Sequence, residues 1–258
     1  MKKRLISAAL VAFAVILAGC KPKPETTEQT RTNTMEKVSV VVIGMERSKF
    51  AGPCPGAHTD AIRMRETFRG WYEDVVLLEN EAATKEAVVA AMKKAAEADF
   101  MVLFYSGHGG SEVFQTPGPE EVDGKDEFLC LYDTYLRDND IWSIISKCKG
   151  RVWLIFDCCH SETMFRSIGF KMKMVEDSAF AKDTEMSMLC WSGCADNTYS
   201  YGDSSGGEFT SSILRNMFYD KTYDEVWKIL ERDEILMSYE RIKRTKIGNK
   251  FDGKLLAK

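Results

Sequence analysis

Over 258 residues the chain offers no apolar run long enough to span a bilayer, no basic excess, no internal repeat and no Gly/Pro linker inside its folded part. Each absence narrows the field. The longest apolar stretch, Leu5 to Ala18, covers only about 21 Å as a helix against a hydrocarbon core of roughly 30 Å, which disfavours a membrane-spanning anchor. Lysine and arginine total 35 against 39 aspartates and glutamates. That balance excludes phosphate-backbone binding as a default, and no nucleic-acid partner is expected. Eight cysteines are too few for a disulfide-built scaffold. Cys158, Cys159 and His160 are contiguous, whereas zinc ligands are spaced so that they can converge, so zinc is not expected. What is present is 45% apolar content, enough for a buried core, and disorder and collagen are excluded with it.

The N-terminus is read first, because a leader has to be removed from fold reasoning. Met1-Lys-Lys-Arg4 is basic, Leu5 to Ala18 is almost wholly apolar, and Leu17-Ala-Gly-Cys20 follows. This pattern resembles a bacterial lipoprotein signal. The resemblance implies cleavage before Cys20, lipidation of its thiol and new amino group, and attachment to a membrane of the bacterial cell envelope on its periplasmic or surface face. Two or more acyl chains hold a protein there firmly. Without Lys2, Lys3 and Arg4 the net charge moves to about −7. From Lys21 to about Glu36 the polar, proline-containing composition buries nothing and reads as a flexible tether. The expected organisation is a signal peptide over 1–19, a tether over 20–36 and one folded domain over 37–258.

In the folded part, short apolar runs alternate with longer helix-like stretches. Val38 to Gly44, Asp74 to Leu78, Phe100 to Tyr105, Val152 to Phe156 and Ser187 to Ser192 are continuous and of strand length. Such runs suit strands buried on both faces. Helical stretches are expected at about Asp60 to Phe68, Thr84 to Ala96, Asp138 to Lys147, Glu208 to Phe218 and Tyr223 to Leu236. Phe128 to Tyr132 reads as a short extra strand or hairpin arm. The alternation predicts an α/β fold with a mostly parallel central sheet flanked by helices.

In an open parallel sheet, ligands bind outside the carboxyl ends of the strands. Two of those ends are unusual. The third run exits into Ser106-Gly-His-Gly-Gly110 and the fourth into Asp157-Cys-Cys-His-Ser161. Glycines on both sides of His108 leave the imidazole accessible and let backbone N–H groups approach a substrate. A cysteine at the neighbouring strand end is placed to meet it. A thiol near its reference pKa of about 8.5 is only a few per cent thiolate at neutral pH, and an adjacent histidine raises that fraction. The thiolate attacks a carbonyl, the imidazolium protonates the leaving amine, and the N–H groups of Gly109 and of the cysteine are candidate donors to the oxyanion. Because strand side chains alternate, only one of Cys158 and Cys159 can face His108.

At these residues the chain resembles the metacaspases and prokaryotic caspase-like peptidases. Tyr105-Ser-Gly-His-Gly109 and Asp157-Cys-Cys-His-Ser161 stand as that family's histidine and cysteine motifs, and Trp191-Ser-Gly-Cys194 and Gly207-Glu-Phe-Thr210 also fit. The similarity runs from about Val38 to Leu214, and His108 precedes Cys159 by 51 residues, close to the spacing of about 50 known for caspases. The resemblance implies a caspase-like three-layer sandwich and a cysteine endopeptidase with His108 as general base and Cys159 as nucleophile. It also implies that Asp60 and Asp157 line the primary specificity pocket and select a polypeptide substrate with Arg or Lys before the scissile bond. Left to themselves, Asp60 reads as a helix N-cap and Asp157 as a strand-end turn residue. Two positions depart from the family pattern: Ala57 stands where cysteine is usual, and Glu162 where glycine is.

No cofactor is required by this chemistry. Several family members use carboxylates for activating calcium. The acidic patch Asp123, Asp126, Glu127, Asp138 and Asp140 leaves calcium open, although Arg166 stands about where the family supplies a further aspartate. The basic segment 163–185 is a candidate for self-cleavage. Cys54, Cys130 and Cys148 are candidates for disulfide pairing, and His58 and His160 read as packing or turn residues. A monomer is expected. The competing functions are a catalytically inactive caspase-like binding module and a thiol redox protein using Cys158 and Cys159, which lack the Cys-x-x-Cys spacing.

Overall fold

The computed structural model describes residues 36–112, 126–158, 186–194, 202–217, 220–240, 242–247 and 250–255, all within a unit running from Glu36 to Lys258. The apolar runs become strands because both of their faces are covered. β1 (Val38–Gly44), β2 (Asp74–Glu79) and β3 (Phe100–Ser106) lie near the start. β4 (Gly109–Glu112), β5 (Asp126–Cys130) and β6 (Tyr135–Arg137) follow. β7 (Arg151–Asp157), β8 (Ser187–Ser192), β9 (Gly202–Asp203), β10 (Gly206–Gly207) and β11 (Lys243–Ile247) complete the set. The main sheet has the order β11-β8-β7-β3-β1-β2, parallel throughout except for β11, which pairs antiparallel with β8.

The period of two along the strands sorts the core into two layers. Val41, Ile43, Leu103, Tyr105, Leu154 and Phe156 face one side and meet α2 (Lys85–Ala95) and α3 (Asp138–Ile145) through Val88, Met92, Ile141 and Ile144. Val40, Val42, Phe104, Trp153, Ile155 and Trp191 face the other side. There they meet α1 (Ala57–Arg69) and the helices Glu208–Asn216 and Tyr223–Leu230. The result is the expected three-layer sandwich. Each fully buried aliphatic or aromatic side chain contributes about 1.5–3 kcal/mol through removal from water, which makes the two apolar layers the dominant stabilising term.

Two expectations are corrected, and one strand was not expected. The helix beginning at Tyr223 ends at Leu230 rather than near Leu236. The strand β11 was not legible, because Lys243-Arg-Thr-Lys-Ile247 carries the charges with which an edge strand is kept from pairing further. Cys54, Cys130 and Cys148 form no disulfide with one another, and all three are thiols. The arm at Phe128 joins β4 and β6 in a separate three-stranded antiparallel sheet, β4-β5-β6.

Candidate active site

β3 and β7 are adjacent and in register, with Ser106 opposite Asp157. The link continues past the strands: the Gly107 N–H donates to the Asp157 carbonyl at 3.3 Å. The turn that carries His108 therefore adjoins the strand end that leads to Cys158. Cys159 lies outside the described residues, as do Cys20, Asp123, His160, Glu162, Arg166 and the segment 163–185.

The His108 turn is built by its neighbours. A Cβ on Gly107 would lie 2.6 Å from Tyr105 Oη and 2.8 Å from Met45 Cβ, so only glycine fits. Tyr105 Oη lies 2.7 Å from the carbonyl oxygens of both His108 and Cys130 and shares its one proton between them. The Cys130 N–H donates to the same His108 carbonyl at 2.9 Å. The imidazole Nε2 stands 3.1 Å from the Gly52 carbonyl oxygen. A carbonyl can only accept, so this contact places the ring proton on Nε2 and leaves the Nδ1 lone pair as the basic nitrogen. Gly109 is paired with Leu129. Since the Cys130 N–H to His108 O bond flanks that pair, the Gly109 N–H points out of the ladder.

Asp60 and Asp157 come together at the same end of the sheet, 1% and 4% exposed. Asp157 ends β7, as its strand-end reading has it, but Asp60 is not the helix N-cap suggested by sequence alone. α1 starts at Ala57 with Gly56 as its N-cap, so Asp60 lies within the first turn. Its carboxylate instead accepts from Ser106 Oγ at 3.0 Å and from the Gly207 N–H at 2.9–3.0 Å. Asp157 Oδ2 accepts from the N–H and the hydroxyl of Thr210 at 3.1 and 2.6 Å. Together they cap the helix Glu208–Asn216, whose own N-cap, Gly207, has no side chain to offer. A negative group at a helix N-terminus is favoured by the helix dipole. The fit around the glycines is tight: a Cβ on Gly206 would lie 2.3 Å from Asp60 Oδ1, and one on Gly207 2.4 Å from Asp157 Oδ2. Burial, and then the Asp157 charge, push Asp60 up to about 8.

The other sequence candidates separate from this site. Cys158 is 1% exposed and packs in the layer of Tyr105, Phe156 and Cys190, as a small apolar residue does. Burial pushes the Cys130 and Cys148 thiols up to about 11, which keeps them protonated and unreactive. His58 Nδ1 pairs with Glu79 Oε1 at 2.5 Å. In the acidic patch, Asp140 bonds Lys85 Nζ at 2.6 Å and caps α3 at the Arg137 N–H, and Asp138 accepts from the Asn139 N–H. Among the described residues no group of three or more His, Cys, Asp or Glu side chains is placed to hold a metal ion. Among them, too, no helix is long and apolar enough to cross a membrane.

Sequence reasoning missed Tyr105, Ser106 and Gly52. In the sequence Tyr105 and Ser106 stand in the histidine motif without a role of their own, and Gly52 acts through a backbone carbonyl, which has no side-chain signature.

The profile of the peptidase family described as "Caspase domain" matches residues 38–246. The chain belongs to that family. Metacaspase-1 of Meyerozyma guilliermondii is 32% identical over 111 residues, a match covering 36% of this chain and 26% of that protein. This chain thus spans only about a quarter of that relative's length. Among solved structures, a protein from Geobacter sulfurreducens superposes with a TM-score of 0.66 at 26% identity, over 83% of this chain and 94% of that one. Caspase-1 from Spodoptera frugiperda superposes with a TM-score of 0.56 over 81% of this chain and 86% of its own, and at 11% identity it bears on the fold alone.

Proposed function

We propose that this chain is a cysteine endopeptidase that hydrolyses peptide bonds after Arg or Lys, held to the bacterial envelope by lipid on Cys20. The observation that carries the specificity is the pair of buried carboxylates, Asp60 and Asp157, beside the His108 turn. A cationic side chain is held best by partly desolvated carboxylates, whereas an acidic one would be repelled there. In the proposed reaction His108 Nδ1 takes the Cys159 thiol proton, the thiolate adds to the scissile carbonyl, and the Gly109 and Cys159 N–H groups receive the oxyanion. The imidazolium then protonates the leaving amine, and water hydrolyses the thioester with His108 again as base. The Gly52 carbonyl supports this role, since it fixes the tautomer that leaves Nδ1 free to act.

The test is turnover of peptides ending in Arg, Lys, citrulline or Asp before a fluorogenic leaving group. Arg and Lys peptides are expected to turn over, with kcat/KM at least tenfold above citrulline and no cleavage after Asp. Equal rates for Arg and citrulline would overturn the pocket assignment. The anchor is tested separately by Cys20→Ala, which is expected to move the chain from the membrane fraction to the soluble one.

A further inference from the structure

Both carboxylates of the proposed specificity pocket flank one residue, Gly207. Its N–H is bonded to Asp60, and its Cα lies against Asp157. Only a weak cationic influence reaches Asp60 among the described residues, that of Arg63. The charged or titratable groups on the elements around it are Asp157 on β7, His58 and Arg63 on α1, Glu79 at the end of β2, Asp203 at the end of β9 and Glu208 on the following helix. Of these, Asp157 raises and Arg63 lowers the Asp60 pKa, and Arg63 is the weakest of its causes. The Arg63 guanidinium is directed elsewhere, to Ser211 Oγ at 3.0 Å and the Ser205 carbonyl at 3.4 Å. The remaining donors to Asp60 are neutral: the Ser106 hydroxyl and the Gly207 N–H. A hydroxyl can reverse its role, so Ser106 serves an ionised Asp60 as donor and a protonated one as acceptor.

We propose that Asp60 holds a proton while the pocket is empty and gives it up to solvent when a cationic side chain docks, so that basic substrates bind with release of one proton. The proposal rests on the Arg/Lys specificity above. Its balance is simple: the Asp60 carboxylic acid plus the substrate cation give the carboxylate–cation pair and one proton, which passes to the buffer. Two like charges against one glycine, removed from water, disfavour double ionisation until a positive charge arrives. Direction and position agree with the Asp60 carboxyl, pushed up to about 8 by burial and by Asp157.

The experiment uses the full-length chain carrying Cys159→Ala, so that peptides bind without being cut. Titration calorimetry with an Arg-containing peptide, in phosphate and in Tris, reads the protons released, and repetition from pH 6 to 9 reads the affinity. The expected result is release of close to one proton at pH 7 and a Kd that falls about tenfold per pH unit below about 8 and then levels. The citrulline peptide should release none. Adding Asp60→Asn should remove both the release and the slope. Arg-peptide binding with one Kd across this range and no buffer-dependent heat would overturn the proton linkage while leaving the specificity standing. Failure to bind Arg peptides at any pH would overturn both.

Discussion

Tyr105 and Asp157 each carry two duties that mutation can separate. The Tyr105 hydroxyl serves two carbonyls beside the histidine turn, and losing a buried donor costs about 1–3 kcal/mol. Tyr105→Phe is therefore expected to lower Tm by several degrees in a thermal scan and to reduce kcat more than it raises KM, because what loosens is the base. Asp157 both caps a helix and supplies charge. Asp157→Asn keeps an acceptor for the Thr210 N–H and hydroxyl, so Tm is expected to stay within a few degrees while kcat/KM for Arg peptides falls at least tenfold. Asp157→Ala should lose both, with about 1–2 kcal/mol of stability gone at the cap. An Asn variant as active on Arg peptides as the parent would remove Asp157 from substrate recognition. These residues differ in how readable they were. His108 and Asp157 stand out as polar groups at the ends of apolar runs. Tyr105 is one more aromatic in a strand, and the capping bonds of Asp60 and Asp157 reach across 147 and 53 residues, beyond any local pattern.

Secondary structure was legible where burial on both faces wrote continuous apolar runs. β1, β3, β7 and β8 fall within a residue of where hydropathy puts them. The edge strand β2 was legible from its apolar run as well, but the edge strand β11 was not, since it is partly solvent-facing and rich in charge. Helix ends follow capping more closely than hydropathy. The helix Tyr223–Leu230 begins at Thr222, whose hydroxyl accepts from the Glu225 N–H while the Glu225 carboxylate returns to the Thr222 N–H. This reciprocal box lies remote from the His108 turn in sequence, and the helix it opens packs Tyr223, Val226 and Trp227 into the layer of Trp153 and Trp191. Thr222→Ala should cost about 1 kcal/mol, seen as a Tm lower by roughly 2–4 °C, with kcat/KM unchanged. A change in kcat/KM without a change in Tm would contradict that separation.

For the whole domain, Asp60 makes stability depend on pH with a definite sign. The native state keeps a proton that the unfolded chain, with an ordinary carboxyl, releases near pH 4, up to the native value of about 8. Between those limits the native state binds more protons, so stability falls as pH rises through the window. Tm is expected to decline from pH 5 to 8, and Asp60→Asn should flatten that part of the decline. A slope unchanged in the variant would assign it to other groups. The family follows from residues 38–246, whereas the proposed catalysis requires two side chains acting together. The most direct measurement is cleavage of an Arg-terminated fluorogenic peptide by the parent chain and by Cys159→Ala, Cys158→Ala and His108→Ala. The expected result is loss of at least a thousandfold in kcat/KM for Cys159→Ala and His108→Ala and near-parental turnover for Cys158→Ala. Retention of activity in Cys159→Ala or in His108→Ala would contradict a peptidase built on this pair.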